Sequence, residues 1–198
     1  MTINVCESNY QVPLDLVSKN PIKLDPITHD LLGQDETIIT SAKDIFKVGH
    51  VVETERTAAT TKMNQASSRT HCLIWIKVYT KMSDNLVHVN HMRFIDLAGS
   101  ERVGKTGAEK KMDKLYAEAI MINYSLTVFA RVIFGVTNLK KPIENGGKIP
   151  DKTCWKETAI TRILKTSFNG QAFSSFLFCI SQAESNSGES WSTMNFAE

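Results

Sequence analysis

The sequence predicts an α/β fold with a central, mostly β sheet flanked by helices. Three observations carry this reading. Runs rich in apolar and β-branched residues at Thr2–Glu7, His71–Thr80, Leu86–Leu97 and Phe173–Ser181 have the length of strands. Segments with apolar residues three to four apart lie between them and read as amphipathic helices. Strand and helix patterns then alternate over much of the chain, as in layered α/β architectures. The 198 residues suffice for one domain with a real core and are read as a single unit, 1–198.

In chain order, Thr2–Glu7 predicts a short strand, and Pro13, Pro21 and Pro26 cut the next stretch into turns and short edge pieces. Ser41-Ala42-Lys43-Asp44 caps a helix carrying Ile45, Val48, Val51 and Val52. His71–Thr80 and Leu86–Leu97 form a hairpin around Ser83-Asp84-Asn85. A polar loop after Gly99 leads to a long helix, Lys114–Thr137, with Leu115, Ala119, Ile122, Leu126, Phe129 and Ile133 on one stripe. Residues Asn138–Pro150 are a loop. Lys156–Ser167 is a helix stopped by Asn169-Gly170, and FSSFLFCIS (Phe173–Ser181) is a buried strand. A last helix begins at Ser190–Ala197.

Composition excludes several classes. The apolar share of 42% and charged share of 22% are those of a globular domain. No apolar run reaches the length of a membrane span, and the first residues lack a signal-type leader, so no membrane span is expected. Cys6, Cys72, Cys154 and Cys179 are scattered without a C-x-x-C pair, which favours buried thiols in a reducing compartment over disulfides or zinc. His88 and His91, three apart on a strand, point to opposite faces and make a poor metal pair; His71 starts a strand and packs structurally. Charge is uneven. Residues 101–165 hold 13 Lys and Arg against 7 Asp and Glu, a net of +6, while the rest hold 10 against 14, a net of −4. The basic stretch suits either an acidic partner or a solvated lysine-rich face.

Two polar clusters carry chemistry. Phe94-Ile95-Asp96-Leu97-Ala98-Gly99-Ser100-Glu101 runs a strand into D-x-x-G. In nucleotide-driven switches that Asp holds a water of Mg²⁺, and the Gly lets a backbone N–H approach a terminal phosphate. Ahead of it stands Asn64-Gln65-Ala66-Ser67-Ser68-Arg69-Thr70-His71. The second cluster resembles the switch I pattern N-x-x-S-S-R-S-H of kinesin motor domains, with Thr70 for the last Ser. Asp96–Glu101 resembles their switch II, D-L-A-G-S-E. Lys105–Glu109 is similar to the loop after switch II in conventional kinesin heavy chains. Glu118–Leu126 resembles E-A-x-x-I-N-x-S-L, Ile160–Leu164 resembles L-T-R-L-L, and Glu189–Ala197 resembles the start of the closing helix. The motifs occur in the family's order from about Thr2 onward.

The resemblance implies a kinesin-type P-loop NTPase fold, here incomplete. The phosphate-binding loop G-x-x-x-x-G-K-[ST] expected ahead of switch I is absent, so the chain reads as the later part of a motor domain, cut at both ends. In that family the strand feeding the phosphate loop lies between the Leu86–Leu97 strand and FLFCIS, so both would expose unpaired edges. Gly99–Thr106 does satisfy the phosphate-loop pattern, but the helical spacing starts only near Leu115 and FLFCIS ends without an Asp for Mg²⁺. That loop is therefore not taken as a phosphate cradle. Ala159 and Tyr124 stand where Lys is common, and extra residues occur around 110–114 and 151–154.

By resemblance, the intact motor hydrolyses ATP with Mg²⁺ and moves along microtubules in the cytoplasm and cytoskeleton, while this chain alone is not expected to be an ATPase. Asn64, Ser67 and Ser68 would contact nucleotide, Ser68 the metal, Asp96 a metal-bound water and Gly99 the γ-phosphate. Arg69 and Glu101 would latch the switches by a charge-assisted pair. Lys105, Lys110, Lys111, Lys114, Lys140, Lys141, Lys148, Lys152, Lys156 and Arg162 fall in segments that form the microtubule face in the family, where tubulin is acidic. Nucleic acid is not an expected partner, and dimerisation would need a stalk outside these 198 residues. The alternative is a catalytically inactive microtubule-binding module.

Overall fold

The computed structural model describes residues 1–8, 12–27, 31–63, 70–83, 85–99, 114–139, 143 and 147–197, with the side chains of 57–63, 114–116, 118–119 and 151 outside the description. Strands are β1 (Thr2–Ser8), β2 (Pro13–Asp15), β3 (Lys23–Leu24), β4 (Leu31–Leu32), β5 (Thr37–Ile38), β6 (His71–Lys81) and β7 (Val87–Asp96). Helices are α1 (Ala42–Met63), α2 (Lys114–Thr137), α3 (Ala159–Ile163), α4 (Lys165–Phe168) and α5 (Ser187–Ala197). The main sheet runs β2-β1-β6-β7, with β5 added to β1, and all its pairs are antiparallel. β3 and β4 form a separate two-stranded ribbon.

Strand alternation divides the core into two layers. Cys6 of β1 and Leu73 and Trp75 of β6 face one side, where they bury against Phe129 and Val132 of α2, Ile160 and Ile163 of α3, and Phe168 of α4. Ile3 and Val5 of β1 and Cys72 of β6 face the other, with Val48 and Val52 of α1 packed against them. Ile45 and Val51, expected on the same stripe of α1, are exposed. The helix start is as expected. Asp44 of the first turn reaches back, its Oδ2 accepting the N–H groups of Thr40 and Ser41 at 3.1 and 3.0 Å, the acidic half of a capping box. The hairpin and the long helix also match the sequence pattern, with β6 and β7 paired from Cys72↔Asp96 to Lys81↔Val87.

Several expectations need correction. Lys156–Ser167 is two short helices rather than one. Thr158 caps α3, its Oγ1 accepting the N–H of Thr161, and Leu164 breaks the run before α4. The stop at Asn169-Gly170 is as expected, since Gly170 takes φ +82. Phe173–Ser181 forms no strand. Residues 173–183 lie outside any sheet, with Phe173 and Leu177 almost fully exposed. A strand needs a neighbour for its N–H and C=O groups, and among the described residues none lies alongside this segment. Of the four thiols, Cys6 and Cys72 are buried, whereas Cys154 is half-buried and Cys179 exposed. Burial pushes Cys6 up to about 12 and Cys72 up to about 11, so both stay protonated and inert. By length and composition alone Ile120–Thr137 could cross a membrane, but it packs as a helix of the core. Its Ile122, Ser125, Val128, Phe129 and Val132 are buried against the sheet, and Ile120, Met121 and Phe134 lie outside.

α2 is seated on the following loop by its one interior glycine. A Cβ on Gly135 would lie 2.8 Å from Thr153 Cγ2 and 3.3 Å from its Cβ. Thr153 is buried and held by its hydroxyl, which donates to Pro150 O at 2.7 Å. Gly135→Ala gains about 1 kcal/mol of helix propensity, but the overlap costs about 1–3 kcal/mol. The expected outcome is net destabilisation in urea unfolding. Adding Thr153→Ser, which removes Cγ2 and keeps the hydroxyl, should restore most of the loss.

Candidate functional site

The chemistry-bearing strand end is built by the β6–β7 pairing. Asp96, the last residue of β7, pairs with Cys72 of β6 and lies on the α1 side of the sheet. There Arg56 of α1 meets it, with Nη1 donating to Asp96 Oδ2 at 2.7 Å. The same guanidinium lies 3.6 Å from Glu7 Oε1 of β1 and donates to Thr70 O at 3.5 Å. Arg56 therefore joins α1, β1, the entry of β6 and the end of β7. Its side chain is mostly covered, whereas that of Asp96 is 71% exposed, so solvent retains access to the carboxylate. An exposed carboxylate at a strand end suits a water-mediated contact to Mg²⁺, which is commonly held through one or two carboxylates, waters and phosphate oxygens. Among the described residues, no group of three His, Cys, Asp or Glu could hold a metal directly.

On the opposite side of the sheet, His71 opens β6 and is fully buried. Ala98 N–H donates to its Nδ1 at 3.0 Å, and its Nε2 lies 2.8 Å from Ser125 Oγ of α2. Ser125 Oγ in turn donates to Ile122 O at 2.6 Å. The loop that follows Asp96 is thus tied both to the start of β6 and to the middle of α2. Burial holds the imidazole pKa down at about 4, so the ring is neutral at physiological pH.

Much of the predicted site lies outside the described residues. Asn64, Ser67, Ser68, Arg69, Glu101, Lys105, Lys110, Lys111, Lys140 and Lys141 are all there, as is most of the Gly99–Thr106 turn. Lys114 opens α2, with its side chain outside the description. Asp96 and Gly99 sit three residues apart on one strand-to-loop junction. Lys148, Lys152 and Lys156 are exposed on the stretch held against α2 by Gly135 and Thr153. Lys156 and Lys165 stand 5.3 and 5.0 Å from the Trp155 ring centre, within the range of cation–π attraction. Arg162 is half-buried and donates to Thr158 O at 3.3 Å, which leaves it less available as a surface cation than the sequence reading assumed. His88 and His91 fall on opposite faces, with His91 Nδ1 accepting from Trp75 Nε1 at 2.8 Å.

Sequence reasoning missed Arg56 and Ser125. Arg56 stands in a polar stretch with no motif of its own. Ser125 lay inside a quoted motif, and a lone Ser within an apolar helical stripe was the available signal for a buried hydrogen-bond partner.

Comparison with known proteins agrees with the layout. The family model "Kinesin motor domain" matches residues 13–198. Kinesin-related protein 5 of Dictyostelium discoideum is 34% identical over 164 residues, covering 83% of this chain and 15% of that protein. The kinesin heavy chain of Drosophila melanogaster is 34% identical over 165 residues, covering 83% and 16%. A solved fast kinesin superposes with a TM-score of 0.77 at 27% identity, covering 98% of this chain and 53% of that one. The chain thus spans about half of that solved chain and under a fifth of these two relatives.

One prediction concerns the buried imidazole. An unfolded histidine takes a proton near 6.5, whereas His71 resists protonation down to about 4. The unfolded state then binds more protons as pH falls through this window. The contribution of His71 is complete above pH 6.5 and declines by about 3 kcal/mol on going down to pH 4. Urea unfolding of the wild type and His71→Gln across that range should show a steeper acid loss in the wild type. Parallel curves would refute it.

Proposed function

Because the chain belongs to the kinesin motor domain family, we propose that it is the switch-bearing and track-binding part of an ATP-driven microtubule motor. The observation that carries this reading is the junction at Asp96–Gly99. The strand end, the loop after it and α2 are joined there through buried groups, so a change at the loop has a mechanical path to the helix.

In this reading the chain positions and neutralises charge, as phosphoryl transfer requires. Mg²⁺-ATP, when bound, supplies the transferable phosphoryl group. Asp96 would hold the metal through a water, and Arg56 holds that carboxylate in place from α1. Asn64, Ser67 and Ser68 bring short polar groups to the nucleotide, and Gly99 offers its N–H. Arg69 and Glu101 close the two segments on each other by an ion pair that opens when phosphate leaves. Lys148, Lys152 and Lys156, with the lysines at 105–114 and 140–141, give α2 and its flanks a basic face for an acidic filament. Lysines suit a contact that is made and released each cycle, since screening weakens it readily.

The test is co-sedimentation of the 198-residue chain with microtubules across a salt series. Affinity should fall about tenfold or more between 50 and 200 mM salt, and Lys148→Glu with Lys152→Glu should weaken it further at low salt. A flat salt response would count against the track face.

The alternative, an inactive binding module, separates in a second experiment. The chain is joined behind the N-terminal half of the Drosophila heavy-chain motor domain, which would supply the rest of the fold. ATP turnover in the joined protein supports the motor reading, and binding without turnover supports the module. Glu101→Ala in the active form should keep nucleotide binding and cut turnover about a hundredfold or more, the scale of losing a charge-assisted contact worth about 3 kcal/mol. Wild-type turnover in that variant would remove the latch from the mechanism.

A further inference from the structure

We propose that His71 is a positioning residue that couples the loop after β7 to α2 through a polarised hydrogen-bond relay. The direction of each bond follows from what each group can do. Ala98 N–H can only donate, so Nδ1 of His71, 3.0 Å away, is an acceptor and carries no proton. A neutral imidazole then bears its proton on Nε2, which donates to Ser125 Oγ at 2.8 Å. Ser125 keeps its own proton for Ile122 O at 2.6 Å, a carbonyl one turn back along α2. The relay reads Ala98 N–H to His71, His71 to Ser125, Ser125 to Ile122, and every proton points the same way.

Burial makes the relay all-or-none. His71 and Ser125 have no measurable exposure, and Ala98 and Ile122 have 5% each. A buried donor or acceptor left without a partner costs about 1–3 kcal/mol, and water has no access to replace the lost bond. If the loop at 97–99 shifts and withdraws the Ala98 N–H, the ring is left with an unmatched Nδ1. The ring then turns to find another donor, which draws Nε2–H away from Ser125 Oγ and breaks the line of bonds at α2. A displacement at the loop is thus transmitted to the third turn of α2 without any change of net charge. Its use in linking nucleotide state to track binding rests on the motor reading above; the relay itself does not.

The first measurement uses the unmodified chain. Nitrogen-15 NMR of the His71 ring at neutral pH should show Nδ1 unprotonated and Nε2 protonated. A proton on Nδ1 would overturn the proposal. The second measurement is amide hydrogen exchange in Ser125→Ala. The lost acceptor leaves Nε2–H stranded, and the ring turns to find another partner, which draws Nδ1 off the Ala98 N–H. Exchange at Ala98 should therefore speed up about tenfold or more, while β1–β6 amides such as Val5 and Ile74 keep their protection. Unchanged exchange at Ala98 would show that the two ends are not coupled. His71→Asn, whose Oδ1 can stand in for Nδ1 without reaching Ser125, should keep Ala98 protected and no longer respond to Ser125→Ala. Loss of Ala98 protection in that variant to the level of Ser125→Ala would also count against the relay.

Discussion

The two-sidedness of β6 is the constraint from which the rest follows. Its residues alternate between two buried layers, Leu73 and Trp75 against α2 to α4, and Cys72 with half-buried Ile74 and Ile76 against α1. A register slip by one residue would exchange the layers, so the pairing with β1 and β7 is held along the whole strand. That register sets which side of the sheet each chemical group reaches. Asp96 opposite Cys72 must face α1 and meet Arg56. His71, one residue earlier, must face α2 and meet Ser125. One loop, 97–99, is consequently gripped from both layers through its flanking residues.

The sheet is less complete beyond β7. On its α1 side Met92 and Phe94 are about half exposed, and among the described residues no strand pairs with its outer edge. Arg93 reaches across the other face, stacking over Trp75 at 4.1 Å and donating to Thr166 Oγ1 at 2.5 Å, which fastens β7 to α4. Past α4, residues 173–183 run on with their apolar side chains outward, touching the core through Phe176 against Phe129.

Legibility in the sequence divides along physical lines. Elements whose stability comes from their own hydrogen bonds and one apolar face were readable. The 114–137 helix has the predicted bounds, and the 71–96 hairpin follows from two alternating runs about a turn. FSSFLFCIS failed because strand propensity describes the residues and says nothing about whether a neighbouring backbone is present to pair with them. The Lys156–Ser167 helix failed at its ends, where Thr158 as a cap and the turn at Leu164 decide the boundaries rather than apolar spacing. At the site, Asp96 was readable as the end of a strand, because an apolar run meets D-x-x-G there. Arg56 was not, because a single arginine on a mostly exposed helix has the same local signature whether it faces water or spans three strands.

His71 shows the deeper limit. As a residue type it was correctly read as structural, a buried side chain at the start of a strand. Its partners lie 27 and 54 positions away, and they decide what the burial accomplishes. A purely structural filler at that position would be apolar, since an imidazole brings two polar nitrogens that must both be matched. Both are matched here, one by the loop after Asp96 and one by α2, on elements with no other reason to share a partner. The cost of burying two nitrogens is offset only while those elements keep their relative position. The same imidazole that completes the core therefore registers whether the loop and the helix are in step.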